Sequence, residues 1–322
     1  MSSRAPGHAV APDFSAPSEF ARAVITGLSQ AQKALPCRFL YDARGSELFE
    51  DITRLPEYYP TRAEISILEA HTGEMAEGVT KDGVLVEFGS GSSRKTEIFL
   101  TQLPAGLAYV PIDVSATALA GASGRLAKSF PDIHVRPIVG DFSQEIILPD
   151  DLRLRPKTGF FPGSTIGNFS PQEALGLLGG FRQILCENGR LLIGVDLKKD
   201  QAKLVRAYAD AAGVTAEFNL NLLVQINREL GGTFDVSAFR HEAIYNERLG
   251  RVEMHIVSVE AQSVVIAGRC VSFEADERIH TENAYKYSVG EFQDLAGQAG
   301  WRPTRVWTDA NAEFSVHELR VG

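Results

Sequence analysis

From Val84 onward, short apolar runs alternate with amphipathic stretches of helix length, and few folds accommodate that alternation. Strands joined by crossover helices lie parallel in one sheet with helices on both faces, so an α/β fold with a doubly wound sheet is predicted. The predicted strands are 84–88, 108–113, 134–138, 159–162 and 190–196, with helices over 94–102, 116–129 and 171–186. Near the end of the chain, a helix over 290–299 precedes strands over 302–308 and 313–321, which flank a turn at 309–311. Between 197 and 286 the rhythm changes. Helices over 200–212 and 215–230 are followed by strands over 237–245, 251–260, 262–267 and 269–275, which describes an inserted α+β body. A chain of 322 residues exceeds the usual size of one domain, and a cleft between sheet and insertion is the natural place for a small ligand.

Composition narrows the partners. The formal net charge of -9 repels a phosphate backbone, so nucleic acid is excluded as the expected partner. Cys37, Cys186 and Cys270 are odd in number and far apart, which fits a reducing cytoplasm better than a disulfide framework. No apolar run approaches the roughly 20 residues of a membrane span, and no signal peptide is expected. Residues 1–16, rich in Ala, Pro and Ser, read as a loose tail. The seven histidines show no metal-like pairing, so no metal is predicted.

The segment VLVEFGSGSSRKT, residues 84–96, runs from an apolar strand through a glycine-rich turn into a helix. Gly89 and Gly91 allow close backbone approach, and the helix start offers N–H groups to an anionic ligand group. A nicotinamide fingerprint would require glycine at position 94, where this chain has Arg94, and a tight turn without ligand is the alternative. Asp113, 24 positions after Gly89, stands at the end of the second strand, where a carboxylate accepts from two ribose hydroxyls. Asp141 follows the third strand and can accept from an adenine amino group while Phe142 packs on the ring. Each Asp alone is also a common turn or cap residue; together the strand ends point to S-adenosylmethionine, and the closing hairpin suits a class I methyltransferase.

Further stretches carry a resemblance. FLYDARGSELFEDITRLPEYYPTR (39–62), GSTIGN (163–168), LVRAYADAAGVTAEFN (204–219), RVEM (251–254) and HTENAYKY (280–287) closely resemble the ergothioneine-pathway histidine Nα-methyltransferase family, from about Pro36 to the C-terminus. The resemblance implies an amino-acid-binding domain made of 17–62 and 197–286, over a methyltransferase domain made of 63–196 and 287–322. It implies that Gly89, Gly91, Lys95, Asp113, Asp141 and Phe142 hold S-adenosylmethionine. Asn168, Tyr208 and Tyr58, the last through water, would bind the substrate carboxylate; Tyr41 and the Gly163 carbonyl would orient the amine, with Phe49 lining the same pocket. Glu282 would accept from the imidazole N–H and Met254 would form an apolar wall.

The implied reaction is methylation of the α-amino group of free histidine, three times, to the betaine hercynine, by a monomer. One position departs from the family: where its members carry a hydroxyl residue against the imidazole, this chain has Ala284. Asn283, Thr281 or a water would then substitute, or the pocket would serve another aromatic amino acid such as tryptophan or tyrosine. A non-catalytic sensor of the same ligands is the reading from a different class.

Overall fold

The computed structural model describes residues 18–322 apart from Ser92; the tail expected over 1–16 lies outside the described residues. Helices α1 (Glu19–Leu28), α2 (Ala43–Ile52) and α3 (Tyr59–Ala76) precede the alternating region. It comprises β1 (Val84–Phe88), α4 (Arg94–Leu100), β2 (Ala108–Asp113), α5 (Ala116–Ser129), β3 (His134–Val135), β4 (Ile138–Val139), β5 (Lys157–Phe161), α6 (Pro171–Leu185) and β6 (Arg190–Asp196). The insertion contains α7 (Gln201–Tyr208), α8 (Val214–Leu230), β7 (Phe239–Asn246), β8 (Arg251–Ser258), β9 (Gln262–Ile266), β10 (Arg269–Phe273) and β11 (Arg278–Tyr285). Helix α9 (Val289–Gln298) and strands β12 (Trp301–Thr308) and β13 (Phe314–Val321) complete the chain. Helices α6 and α9 start where the chain provides a capping box, Ser170 with Glu173 and Ser288 with Glu291, which satisfies the first N–H groups reciprocally.

The central sheet runs in the order β12-β13-β6-β5-β1-β2-β3, with β4 also paired to β2. Strands β1 to β6 pair in parallel, and β13 closes antiparallel on β6 with β12 beside it. This is the expected doubly wound sheet closed by a hairpin, with its switch point between β1 and β5. Loops at that crevice receive ligands in such sheets. The expected third strand, 134–138, is broken in two: Pro137 lies between β3 and β4, and a proline has no N–H to give to a ladder.

Strand β11, RIHTENAY, has no apolar alternation, and nothing in the sequence pattern marked it as a strand. It pairs antiparallel with β8, which also pairs with β7. A bulge between His280 and Glu282 leaves Thr281 outside the register, so Glu282 lies opposite Met254 and Ala284 opposite Val252.

Apolar side chains collect in three groups. Val86, Phe88, Phe161, Phe181 and Ile193 fill one face of the central sheet, and Ile67, Leu85, Phe99, Tyr109 and Phe160 fill the other. A further core, with Phe20, Leu40, Leu48, Tyr58, Tyr208, Phe218, Met254 and Ile279, ties α1 and α2 to the insertion. Among the described residues no helix is long and apolar enough to cross a membrane, and no group of His, Cys, Asp or Glu is placed to hold a metal ion.

Candidate active site

At the glycine-rich turn the structure brings together residues from three strand ends. Gly89 has φ +74°, and a Cβ there would stand 3.2 Å from the Phe142 ring, so only glycine leaves this cradle open. The Gly91 N–H donates to one Asp113 carboxylate oxygen at 3.1 Å, and Ser115 N–H donates to the other at 2.9 Å. Phe142 meets Phe161 edge-on at 5.4 Å, and Asp141 beside it accepts from the Ser143 N–H and hydroxyl. Under the turn, Glu87 is buried and accepts from the hydroxyls of Thr96 and Tyr109; burial pushes its carboxyl up to about 8 despite those donors.

Lys95 stands apart from that set. Its ammonium pairs with the buried Glu64 carboxylate at 2.6 Å, and Glu64 also accepts the Gly163 N–H at 2.9 and 3.0 Å. Gly163, at φ +87°, is thereby held in a left-handed turn at the end of β5, with no partner for its carbonyl among the described residues.

The second half of the site is an aromatic pocket. Tyr41 meets Phe49 edge-on at 5.4 Å and Phe218 at 5.5 Å; Tyr58 meets Phe49 at 6.2 Å and Tyr208 at 6.1 Å. The hydroxyls of Tyr41 and Tyr58 and the amide of the half-buried Asn168 meet no hydrogen-bond partner among the described residues. Glu282 is only 7% exposed, and its Oε2 atom is likewise without a partner. Burial pushes this carboxyl up to about 7, with the Lys286 ammonium pulling it back. Burial, and then the Glu282 charge, drive the Tyr41 phenol well above the ordinary tyrosine range; burial, and then neighbouring Tyr208, do the same to Tyr58. Both therefore stay neutral. Cys37 sits close enough to feel the same carboxylate, and burial followed by that charge raises its thiol to about 12.

Between the two halves lies Asp196, fully buried at the end of β6. It accepts from the Tyr59 hydroxyl at 2.8 Å and from the ammoniums of Lys199 and Lys286, each at 2.6 Å. Burial works to raise its pKa, but Lys286 and Lys199 outweigh this and hold the carboxyl below its usual range.

A family profile described as "Histidine-specific methyltransferase, SAM-dependent" matches residues 20–321. The chain belongs to this family. It is 40% identical to the histidine N-alpha-methyltransferase of Mycolicibacterium smegmatis over 94% of this chain and 95% of that protein. It is 39% identical to the histidine N-alpha-methyltransferase of Mycobacterium tuberculosis over 92% of each. It is 33% identical to ergothioneine biosynthesis protein 1 of Neurospora crassa, over 89% of this chain and 33% of that much longer protein.

As a member of this methyltransferase family the chain uses S-adenosylmethionine, and the cradle at Gly89, with Asp113 and Phe142 facing it, fits that donor. The pocket corrects one expectation: neither neighbour of Ala284 replaces the missing hydroxyl. The bulge turns Asn283 to the opposite face of β11, where it accepts from His280 Nε2 at 2.9 Å, and the Thr281 hydroxyl donates to the Met254 carbonyl. Sequence reasoning also passed over Glu64, Asp196, Phe218 and Lys286. Two of these left a signal: Glu64 shares the buried face of α3 with Ile67 and Leu68 at helical spacing, and Asp196 ends a strand as Asp113 does.

Proposed function

We propose that this histidine-specific methyltransferase methylates the α-amino group of free histidine three times, giving the trimethylammonium betaine of ergothioneine biosynthesis. The observation that carries this reading is Glu282: a buried carboxylate with an unpartnered oxygen, opposite Met254 in an aromatic pocket, wants a nitrogen donor on a flat ring. Asn168, Tyr58 and Tyr208 receive the substrate carboxylate, and Tyr41 with the Gly163 carbonyl directs the amine toward the donor's methyl carbon. The amine lone pair takes that carbon, the C–S bond breaks with its electrons left on sulfur, and water carries away the amine's proton. Because the phenols are neutral and no carboxylate is bonded to the amine position, the residues act by placement rather than as bases. Aromatic walls at Tyr41, Phe49 and Phe218 accommodate the growing cation without trapping it. The amino-acid pocket is the work of residues 17–62 and 197–286, completed by Gly163 and Asn168, and the donor site is that of 63–196 and 287–322.

Ala284 favours a second reading, a larger aromatic amino acid as substrate, since that position carries no hydroxyl while the Thr281 hydroxyl and the Asn283 amide are engaged elsewhere. Incubation with S-adenosylmethionine and each amino acid in turn, followed by mass spectrometry for one, two and three added methyl groups, tests both. Histidine remaining unmodified while tryptophan or tyrosine gains methyl groups would overturn the first reading and leave the reaction class standing. The free cysteines, Cys186 and Cys270 exposed and Cys37 half-buried, support a reducing compartment, and the protein acts there as a monomer.

A further inference from the structure

Strand β11, which carries Glu282 and Ala284 into the pocket, continues one residue past its end into Lys286. The backbone there is stitched to the end of β6: Tyr287 N–H donates to the Asp196 carbonyl and Lys198 N–H to the Tyr287 carbonyl. This fastening leaves the Lys286 side chain 1% exposed, with its ammonium 2.6 Å from Asp196 Oδ2 and 2.9 Å from the Tyr208 hydroxyl. A buried lysine is costly and requires such pairing. The pairing with Tyr208 has a directional consequence. An ammonium has only donors, so the Tyr208 oxygen must be the acceptor, and its single proton is left for some other group. No second partner for that hydroxyl exists among the described residues. Across the same space stand Tyr58, 6.1 Å away between ring centroids, and Glu282, whose charge Tyr208 feels.

Tyr208 is also fixed at its backbone. His241 Nε2 donates to the Tyr208 carbonyl at 2.8 Å, and Asn219 Nδ2 donates to His241 Nδ1 at 2.9 Å, which settles the neutral tautomer. The ring is therefore held at both ends, and what remains adjustable is the direction of the O–H bond. Lys286 sets that direction. A donor polarised by a neighbouring cation is also a stronger donor toward an anion.

We propose that Lys286 is a positioning residue for the amino-acid carboxylate: held by Asp196, its ammonium engages the Tyr208 oxygen so that the phenolic proton points at the substrate. This rests on the reading of the pocket as an amino-acid site. It also ties the two halves of the molecule together, because Asp196, at the end of a strand of the donor-binding sheet, thereby orders a group in the acceptor pocket.

The test compares histidine with histamine, which carries the same ring and amine but no carboxylate, by calorimetry in the presence of S-adenosylhomocysteine. Lys286→Met is expected to weaken histidine binding about tenfold or more and to leave histamine binding unchanged. In a Tyr208→Phe background the same substitution is expected to change histidine affinity less than about twofold, since its effect travels through the missing hydroxyl. Lys286→Arg is expected to restore part of the loss. Equal loss for both ligands, or the same loss in both backgrounds, overturns the proposal and marks Lys286 as structural; where histamine binds too weakly to measure, the comparison of backgrounds decides. Should Lys286→Met not fold, Lys286→Met/Asp196→Asn judged against Asp196→Asn alone makes the same comparison. Wild-type protein that binds S-adenosylhomocysteine but not histidine would instead bring down the amino-acid reading itself.

Discussion

At the glycine-turn end, the carboxylates of Asp113 and Asp141 already accept the N–H groups of Gly91, Ser115 and Ser143, whereas at the aromatic end Glu282, Asn168, Tyr41 and Tyr58 hold polar atoms with no partner among the described residues. The first arrangement is complete before any ligand arrives and selects by the shape of the backbone. The second is stabilised only when a ligand supplies the missing partners, and so it selects by chemistry and weakens the empty protein. On the proposed reading, rigid placement of the donor and demanding recognition of the acceptor fall mainly to different bodies of one chain, with Asn168 reaching the acceptor from the donor-binding sheet.

The sharpest way to break this contrast is Glu282→Ala. It is expected to lower kcat/KM for histidine by about a thousandfold, by removing the partner of the ring N–H, while leaving the affinity for S-adenosylhomocysteine unchanged in calorimetry. An undiminished kcat/KM would remove the account of ring selection. Asp113→Ala is expected to act on the other half alone, with cofactor binding about tenfold to a hundredfold weaker as two N–H groups lose their acceptor and the ribose its own. Were the cofactor to bind as before, the assignment of the second strand's end would be wrong.

The empty pocket's cost has a pH signature. A carboxyl that ionises at about 4.3 in the unfolded chain holds its proton up to about 7 in the folded one. Stability is therefore greatest below the lower value, falls as pH rises between them, and stays low above the upper. Glu282→Gln should show no such fall, so its melting temperature should exceed that of the wild type by about 2–4 °C at pH 8 and match it at pH 4 in thermal scans without ligand. A wild-type curve parallel to that of the variant would contradict the buried, unpartnered carboxylate. The smallest effect belongs to Gly89→Ala, whose methyl would press on Phe142 at a left-handed φ. About fivefold weaker cofactor binding is expected, with histidine affinity untouched.

The strands whose two faces are both apolar could be read directly: β1, β2 and β6 have the bounds that their runs of Val, Leu and Ile indicate. The helices of the alternating region followed from the same pattern. What escaped was structure fixed by distant partners. Strand β11 lacks apolar alternation and is a strand because β8 completes its ladder. Residues 134–138 read as one strand, but Pro137 interrupts the ladder. In the site, the glycines and the strand-end aspartates announced themselves by position, and the aromatic pocket came through the resemblance of whole segments. Lys286 and Phe218 gave no local sign, because their meaning lies in Asp196, 90 positions from the one, and Tyr41, 177 positions from the other.

Thr281 contributes no atom to the pocket, yet the extra residue it represents decides which side chains arrive there. Were the strand straightened with Thr281 kept in the ladder, Thr281 would take the place opposite Met254 and every later position of β11 would turn by half a rotation, sending the acid to the other face. The identity of the pocket's acid thus depends on a backbone irregularity that absorbs one residue, and the bulge rather than any side chain keeps Glu282 turned inward.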